Sequence, residues 1–285
     1  MKNKVFISTV AFGKMDLFEI YTLASKQGLS LEFSSNVRHD ISNIEFFKKY
    51  PHQKLIHNYF PPPKEPFVIN LASRNNFILK LSIEHCKKNI ERSAEGNMPF
   101  YAAHAGFCID PDPKMLGSKF KIDYSSIDKS YNREIFLETL YDLNEYAKSF
   151  GIFFLIENNV VIKSNYVNDT NPLLCCQASE IIDVIDNFKN QKIGLLLDTG
   201  HLKVSCNTLG LDLNQEFEKL KNYIFAFHHS DNDAKSDSNS KIIKNYWFFN
   251  YAKEFKDNIH VIEVKGDSLD LIKEQFKLFS INGIR

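Results

Sequence analysis

The feature that most constrains this 285-residue chain is an alternation. Short apolar runs rich in β-branched and aromatic residues are separated by longer amphipathic runs, and the pair repeats eight times. The strand-like runs are 5–12, 29–33, 54–60, 100–107, 152–157, 193–198, 224–228 and 260–264. The helical pattern covers 16–27, 41–50, 75–93, 133–150, 178–188, 213–222, 246–255 and 269–279. Gly28 and Gly151 stop two of these helices, and Pro51 follows a third. Strands alternating strictly with helices must run parallel, because each return crosses over through a helix. Runs such as FFLI and IGLLL lack period-two alternation, as expected of strands covered on both faces. Eight such units in a chain of this length predict an α/β fold: one (β/α)8 TIM barrel spanning residues 1–285. A doubly wound open sheet would carry a glycine-rich phosphate turn, and neither GxGxxG nor GxxxxGK[ST] occurs. No composition break or linker marks a second domain.

Composition narrows the function classes. The chain has 35 basic and 35 acidic residues, a formal net charge of zero, with 44% hydrophobic and 25% charged residues. That is globular composition, which excludes a disordered chain and a supercharged nucleic-acid binder. No apolar run reaches the roughly 18 residues of a membrane span. The N-terminal stretch MKNKVFISTVAFG is broken at Gly13 and Lys14 and lacks a cleavage-site pattern, so no signal peptide is expected. Five cysteines, odd in number and without a CxxC pair, indicate neither a disulfide framework nor a thiolate zinc site. A reducing cytoplasm is the expected location.

A barrel gathers its chemistry at the C-terminal ends of its strands. Ionisable residues collect at those ends here. The third strand ends near His57, the fourth at His104, the fifth at Glu157 and the sixth at Asp198, with His201 just after it. The seventh ends at His228 and His229, and the eighth carries Glu263. Carboxylates with neutral imidazoles and no thiolate suit a divalent ion of borderline hardness: Mn, Fe, Co or Zn. Burying such carboxylates costs several kcal/mol each unless a cation or hydrogen bonds compensate, as an order of magnitude. Singly, each residue has a plainer reading. A strand-end histidine is more often structural than a ligand, Asp198-Thr199-Gly200 reads equally as a turn, and 231–237 reads as a solvated acidic loop. Asn158 and Asn159 read as loop residues, Glu32 and Asn36 as pocket lining or polar edge, and Cys175 and Cys176 as buried small residues. The joint occurrence at six strand ends carries the functional reading.

The ordered segments ISTVAFG, HNYFPPPKEPFVINLAS, AAHAG, LIENN, LLLDTGH, HHSDND and IEV resemble the xylose isomerase-like TIM-barrel superfamily. That superfamily contains sugar isomerases and epimerases as well as endonuclease IV-type AP endonucleases. The resemblance covers essentially the whole chain. It implies a metal ion, Mn or Zn foremost, held by Glu157, Asp198, His228 and Glu263. His228 is taken over His229 because His-x-x-Asp, His228 to Asp231, matches the family spacing. The resemblance also implies acid–base roles for Glu157 and Glu263, and a substrate contact for His201. Asn158, His104 and Asp231 join it as substrate-binding candidates. His57 and His104, with Glu157 bridging, match the nuclease's additional zinc ligands and leave room for a second metal. One departure stands out: where the nucleases show Asp-x-His after the seventh strand, this chain has Asp237-Ser238-Asn239.

Two enzyme classes therefore share one scaffold. The expected activity is metal-dependent isomerisation or epimerisation of a sugar or sugar phosphate, by proton transfer through a metal-stabilised enediolate. The alternative is an endonuclease IV-like AP endonuclease or phosphodiesterase with a multinuclear zinc site. Arginine supplies the bidentate forks that phosphates favour, and the chain has Arg38, Arg74, Arg92, Arg133 and Arg285 alone. With the zero net charge and Asn239, this favours a small carbohydrate over nucleic acid. A barrel that had lost catalysis would show degraded ligands, and the four-residue set is intact. The PPPKEP segment is read as a wall or lid, and a homo-oligomer is in keeping with the relatives.

Overall fold

All eight strand-like runs contain a parallel strand, most of them shorter than the apolar run that announced them. In the computed structural model, which describes residues 4–115, 118–120, 123–188, 191 and 193–284, the strands are β1 (Val5–Ser8), β2 (Leu31–Phe33), β3 (Lys54–Ile56), β4 (Phe100–His104), β5 (Phe153–Glu157), β6 (Ile193–Asp198), β7 (Ile224–His229) and β8 (Ile259–Ile262). Arg285 and the first three residues of the N-terminal stretch lie outside the described residues. The strands form one sheet in the order β3-β2-β1-β8-β7-β6-β5-β4, a nearly closed (β/α)8 barrel. Both faces of the sheet are apolar: Phe6, Ile7, Leu55, Phe154, Leu195, Leu197, Phe227 and Val261 are fully buried.

Register does part of the chemistry. β4 pairs with β5 so that His104 lies beside Glu157, and β6 pairs with β7 so that Asp198 lies beside His228. The β3/β4 joint differs from the other joints. Among the described residues it holds a single isolated bridge, His57 with Ala102, in place of a ladder. Side chains reinforce it: the Tyr101 hydroxyl and the Asn89 amide both donate to the carbonyl of Asn58, at 2.8 and 3.1 Å.

The surrounding helices are α1 (Leu17–Gln27), α2 (Asn43–Lys49), α3 (Asn76–Glu95), α4 (Lys129–Ser149), α5 (Ala178–Asp186), α6 (Thr199–Leu209), α7 (Leu213–Leu220) and α8 (Leu269–Ile281). Side-chain caps fix where they start. Asp16 and Glu19 form a capping box on α1, and Asn75, Asp128, Asp212 and Ser268 cap α3, α4, α7 and α8.

The alternation has two corrections. α6 was not expected, because its sequence TGHLKVSCNTL is buried almost all round and shows no amphipathic stripe. It starts at Asp198, whose side chain accepts from the His201 amide at 2.8 Å, so the Asp-Thr-Gly that reads as a turn is a helix N-cap. The second is 246–255, where a helix was expected. Only Trp247–Asn250 is helical, as a 3-10 turn. Its aromatic side chains, poor helix formers, pack as anchors instead, with Phe248 fully buried against Phe227.

The loops after β3, β4 and β5 carry a small hydrophobic cluster of their own: Val68, Phe107, Phe120, Val161, Leu173 and Cys176. It is separate from the barrel core. All five cysteines are buried and free.

Candidate active site

Four strand ends deliver four ligand-type side chains to one point. Glu157 closes β5, Asp198 closes β6, His228 stands in β7 and Glu263 follows β8. One donor atom from each lies within 4.8 Å of the others. His228 Nδ1 is 2.8 Å from Glu263 Oε2 and 3.4 Å from Glu157 Oε1. The second oxygen of Glu157 faces a different pair, 3.3 Å from His57 Nε2 and 3.4 Å from His104 Nδ1. Glu157 is thus shared between two groups, the tetrad and a His57–His104–Glu157 triad.

The residues fit a divalent cation. Glu157 Oε2, Asp198 Oδ2 and His228 Nδ1 are buried without a hydrogen-bond partner. Groups of this kind cost free energy when left bare; a cation in the tetrad would satisfy Asp198 Oδ2 and His228 Nδ1, and one in the triad would satisfy Glu157 Oε2. Behind His228, Glu32 Oε2 lies 2.9 Å from Nε2, so that the ring's Nδ1 points into the mouth. This carboxylate–histidine arrangement is how ligand imidazoles are oriented. Glu32 has the clearest signal that sequence reading left open: a carboxylate in the middle of an apolar strand, 1% exposed.

Burial and neighbouring charge set the protonation states. Burial pushes Glu157 up to about 7, although His228 pulls the other way. Burial also raises Glu32 and Asp198 above the usual carboxylate range. Burial disfavours charge on His228, yet Glu32, Glu263 and Glu157 outweigh it and hold the imidazole well above its usual value. His57 and His104 behave in the opposite sense: burial and neighbouring imidazoles push both down, His104 to about 3, so they are neutral donors at neutral pH.

His201 sits on the first turn of α6. Its Nδ1 contacts the Asn158 carbonyl at 2.8 Å, and its Nε2 faces Asp198 at 3.8 Å and Asp237 at 3.4 Å. The Asn158 amide is spent on the β6 backbone: it accepts from the Asp198 amide and donates to the Asp198 carbonyl, at 2.7 and 3.1 Å. Asp231 is not brought into the cluster; its carboxylate pairs with Lys203 at 2.6 Å. Asp237 supplies the acidic group of that loop instead, with one oxygen buried and unpartnered. Asn239 turns aside, its amide donating to the Glu263 carbonyl at 3.2 Å. A cavity of about 180 Å³ opens beside His104, His201 and Asp237.

Residues 40–278 match the family model described as "Xylose isomerase-like TIM barrel". The chain belongs to that family. Among curated proteins it is similar to "Uncharacterized protein MJ1614" of Methanocaldococcus jannaschii, 26% identical over 245 residues, 85% of this chain and 82% of that one. It is also similar to "Probable endonuclease 4" of Ureaplasma urealyticum, 25% identical over 182 residues; the matched part is 61% of this chain and about half, 51%, of the other. Among solved structures, a "D-tagatose 3-epimerase-like protein" superposes with a TM-score of 0.74 at 19% identity, covering 98% of both chains.

Proposed function

We infer that the protein is a divalent-metal-dependent isomerase or epimerase of a sugar or sugar phosphate. One observation carries the reading: Glu157 and Glu263, from strands three places apart round the ring, converge on a single imidazole nitrogen, at 3.4 and 2.8 Å. Two carboxylates approaching one point from different sides are what a reaction needs when one base removes a proton and another returns it. The epimerase-like architecture of the solved neighbour supports the same reading.

Glu157, Asp198, His228 and Glu263 would hold the ion, which supplies Lewis acidity that polarises a carbonyl and acidifies the adjacent C–H. Glu157, buried at the mouth of the barrel, is positioned to accept a proton from the substrate and return it. Glu263 serves as its counterpart on the other side. His201, fixed through Nδ1 by the Asn158 carbonyl, keeps Nε2 toward the cavity to hydrogen-bond a substrate oxygen. Glu32 keeps His228 in the ligating orientation.

A second reading, a metal-dependent phosphodiesterase of the endonuclease IV kind, has its own support. The His57–His104–Glu157 triad offers a second cation position, and a curated relative carries the endonuclease name. Asn239, turned onto the Glu263 carbonyl, offers no third donor beside His201 and Asp237. Among the described residues, no helix is long and apolar enough to cross a membrane. A cytoplasmic carbohydrate enzyme, free of nucleic acid and assembling with copies of itself, is the setting proposed here.

The test is solvent deuterium incorporation into a panel of free and phosphorylated ketoses by the metal-loaded protein. Incorporation lost in both Glu157→Gln and Glu263→Gln is expected. No incorporation across the panel, with cleavage of an abasic-site duplex, would replace this reading with the second.

A further inference from the structure

We propose that the sugar handled at this site is deoxygenated at the end remote from its reacting carbonyl, carrying a terminal methyl or methylene where a common sugar carries a hydroxymethyl. The inference rests on the isomerase reading for the sugar itself, and on the cavity for the deoxygenation.

The cavity has two unlike walls. One is formed by His104, His201 and Asp237, continuous with the ligand cluster and rich in groups that bind oxygen. The other is hydrocarbon: Val68, Phe107, Phe120, Val160, Ile162 and Leu173. Polar residues also line this cavity, but their hydrogen-bonding groups are largely committed elsewhere. The Asn165 oxygen accepts from the Phe120 amide at 2.8 Å, and its nitrogen donates to the Ser118 carbonyl at 2.9 Å. The Asn159 nitrogen donates to the carbonyls of Ala105, Gly106 and Leu174 at 2.9, 3.1 and 3.0 Å. The Tyr59 oxygen accepts from the Ile69 amide. A substrate hydroxyl laid against this wall would leave water and find few partners, whereas a methyl group would displace water at no such cost.

The wall is built, not incidental. Four of its residues belong to the separate hydrophobic cluster above the barrel mouth, each less than 9% exposed. The Asn70 side chain ties these loops together: its oxygen accepts from the Phe107 and Ala72 amides at 2.9 and 3.0 Å, and its nitrogen donates to the Ile109 carbonyl at 2.8 Å. The apolar surface is therefore preformed, as ligand pockets generally are. An apolar pocket discriminates modestly against an added hydroxyl, so the expected preference is about 10- to 100-fold.

The experiment uses manganese-loaded full-length protein and a panel of ketohexoses, each paired with its 6-deoxy counterpart. Dissociation constants are read by calorimetry, and deuterium incorporation is followed in parallel. The 6-deoxy member of each pair should bind about 10- to 100-fold tighter. Leu173→Asn, and independently the near-isosteric Val160→Thr, should shrink that ratio to within about threefold without changing manganese affinity. Equal or tighter binding of the hydroxymethyl sugars, or no binding of either series, overturns the inference. A deoxy preference in binding without deuterium incorporation would sustain this inference and overturn the isomerase reading. Incorporation without a preference would do the reverse.

Discussion

His228 and His229 are neighbours on β7, equally buried, and chemically opposite. His228 faces the barrel mouth, where three carboxylates hold its proton well above the usual range. His229 points to the other face of the strand, into an aromatic layer. It lies parallel to His260 with centroids 5.2 Å apart, meets Phe279 edge-on at 5.0 Å, and contacts His260 Nδ1 and the Tyr246 hydroxyl at 2.9 and 3.1 Å. Burial and the neighbouring His260 push it well below the usual range. The pleat assigns each ring to a face, and the charge waiting on that face decides its protonation. Residue type and burial alone would not separate the two.

Breaking the comparison at its strongest point gives the largest effect. His228→Ala should lower divalent-metal affinity by at least about 100-fold, since even outer partners of ligands cost up to that much. His229→Ala should leave affinity nearly unchanged while lowering stability by about 3 kcal/mol, from a cavity and from partners left unpaired. Chelator competition and urea unfolding read the two quantities. Equal loss of metal in both variants would collapse the distinction.

The next effect is a pH slope. Glu157 has its folded-state value raised from 4.5 to about 7, so its contribution is fully present below about 4.5 and is lost as pH rises through 7. The Glu157 contribution to the stability of metal-free protein should therefore fall by about 3 kcal/mol over that window, read as the difference in pH slope between the wild type and Glu157→Gln. His104 runs the other way: lowered to about 3, its contribution is present above about 6.5 and is lost as pH falls toward 3. Urea midpoints against pH in the absence of metal check both signs. The smallest effect sharpens the role of the face behind His228. Glu32→Gln should weaken metal binding about 10- to 100-fold with little change in fold, measured by metal titration.

The sequence makes the strand ends legible because each apolar run stops at an ionisable residue, and a barrel collects such ends whatever their separation. Choosing His228 over His229 rested on the spacing to Asp231, and Asp231 itself pairs with Lys203 away from the cluster. Glu32 and Asp237 were harder to read. Glu32 acquires its role from His228, 196 residues further on, and Asp237 from His201 across a loop. α6 escaped the periodicity because a helix buried on nearly every side has no stripe to read. The aromatic run 246–255 erred the other way, its apolar spacing serving anchors rather than helical turns.

One joint in the ring gives the site a mechanical meaning. β3 and β4 are the two free ends of the sheet order, and a single bridge at His57 spans them. His57 and His104 stand on either side of that gap, and both face the same oxygen of Glu157. In an arch, that is the place of the keystone. A cation seated there would lock the ring shut as it arrived, so loading the site and stiffening the whole vault would be a single event.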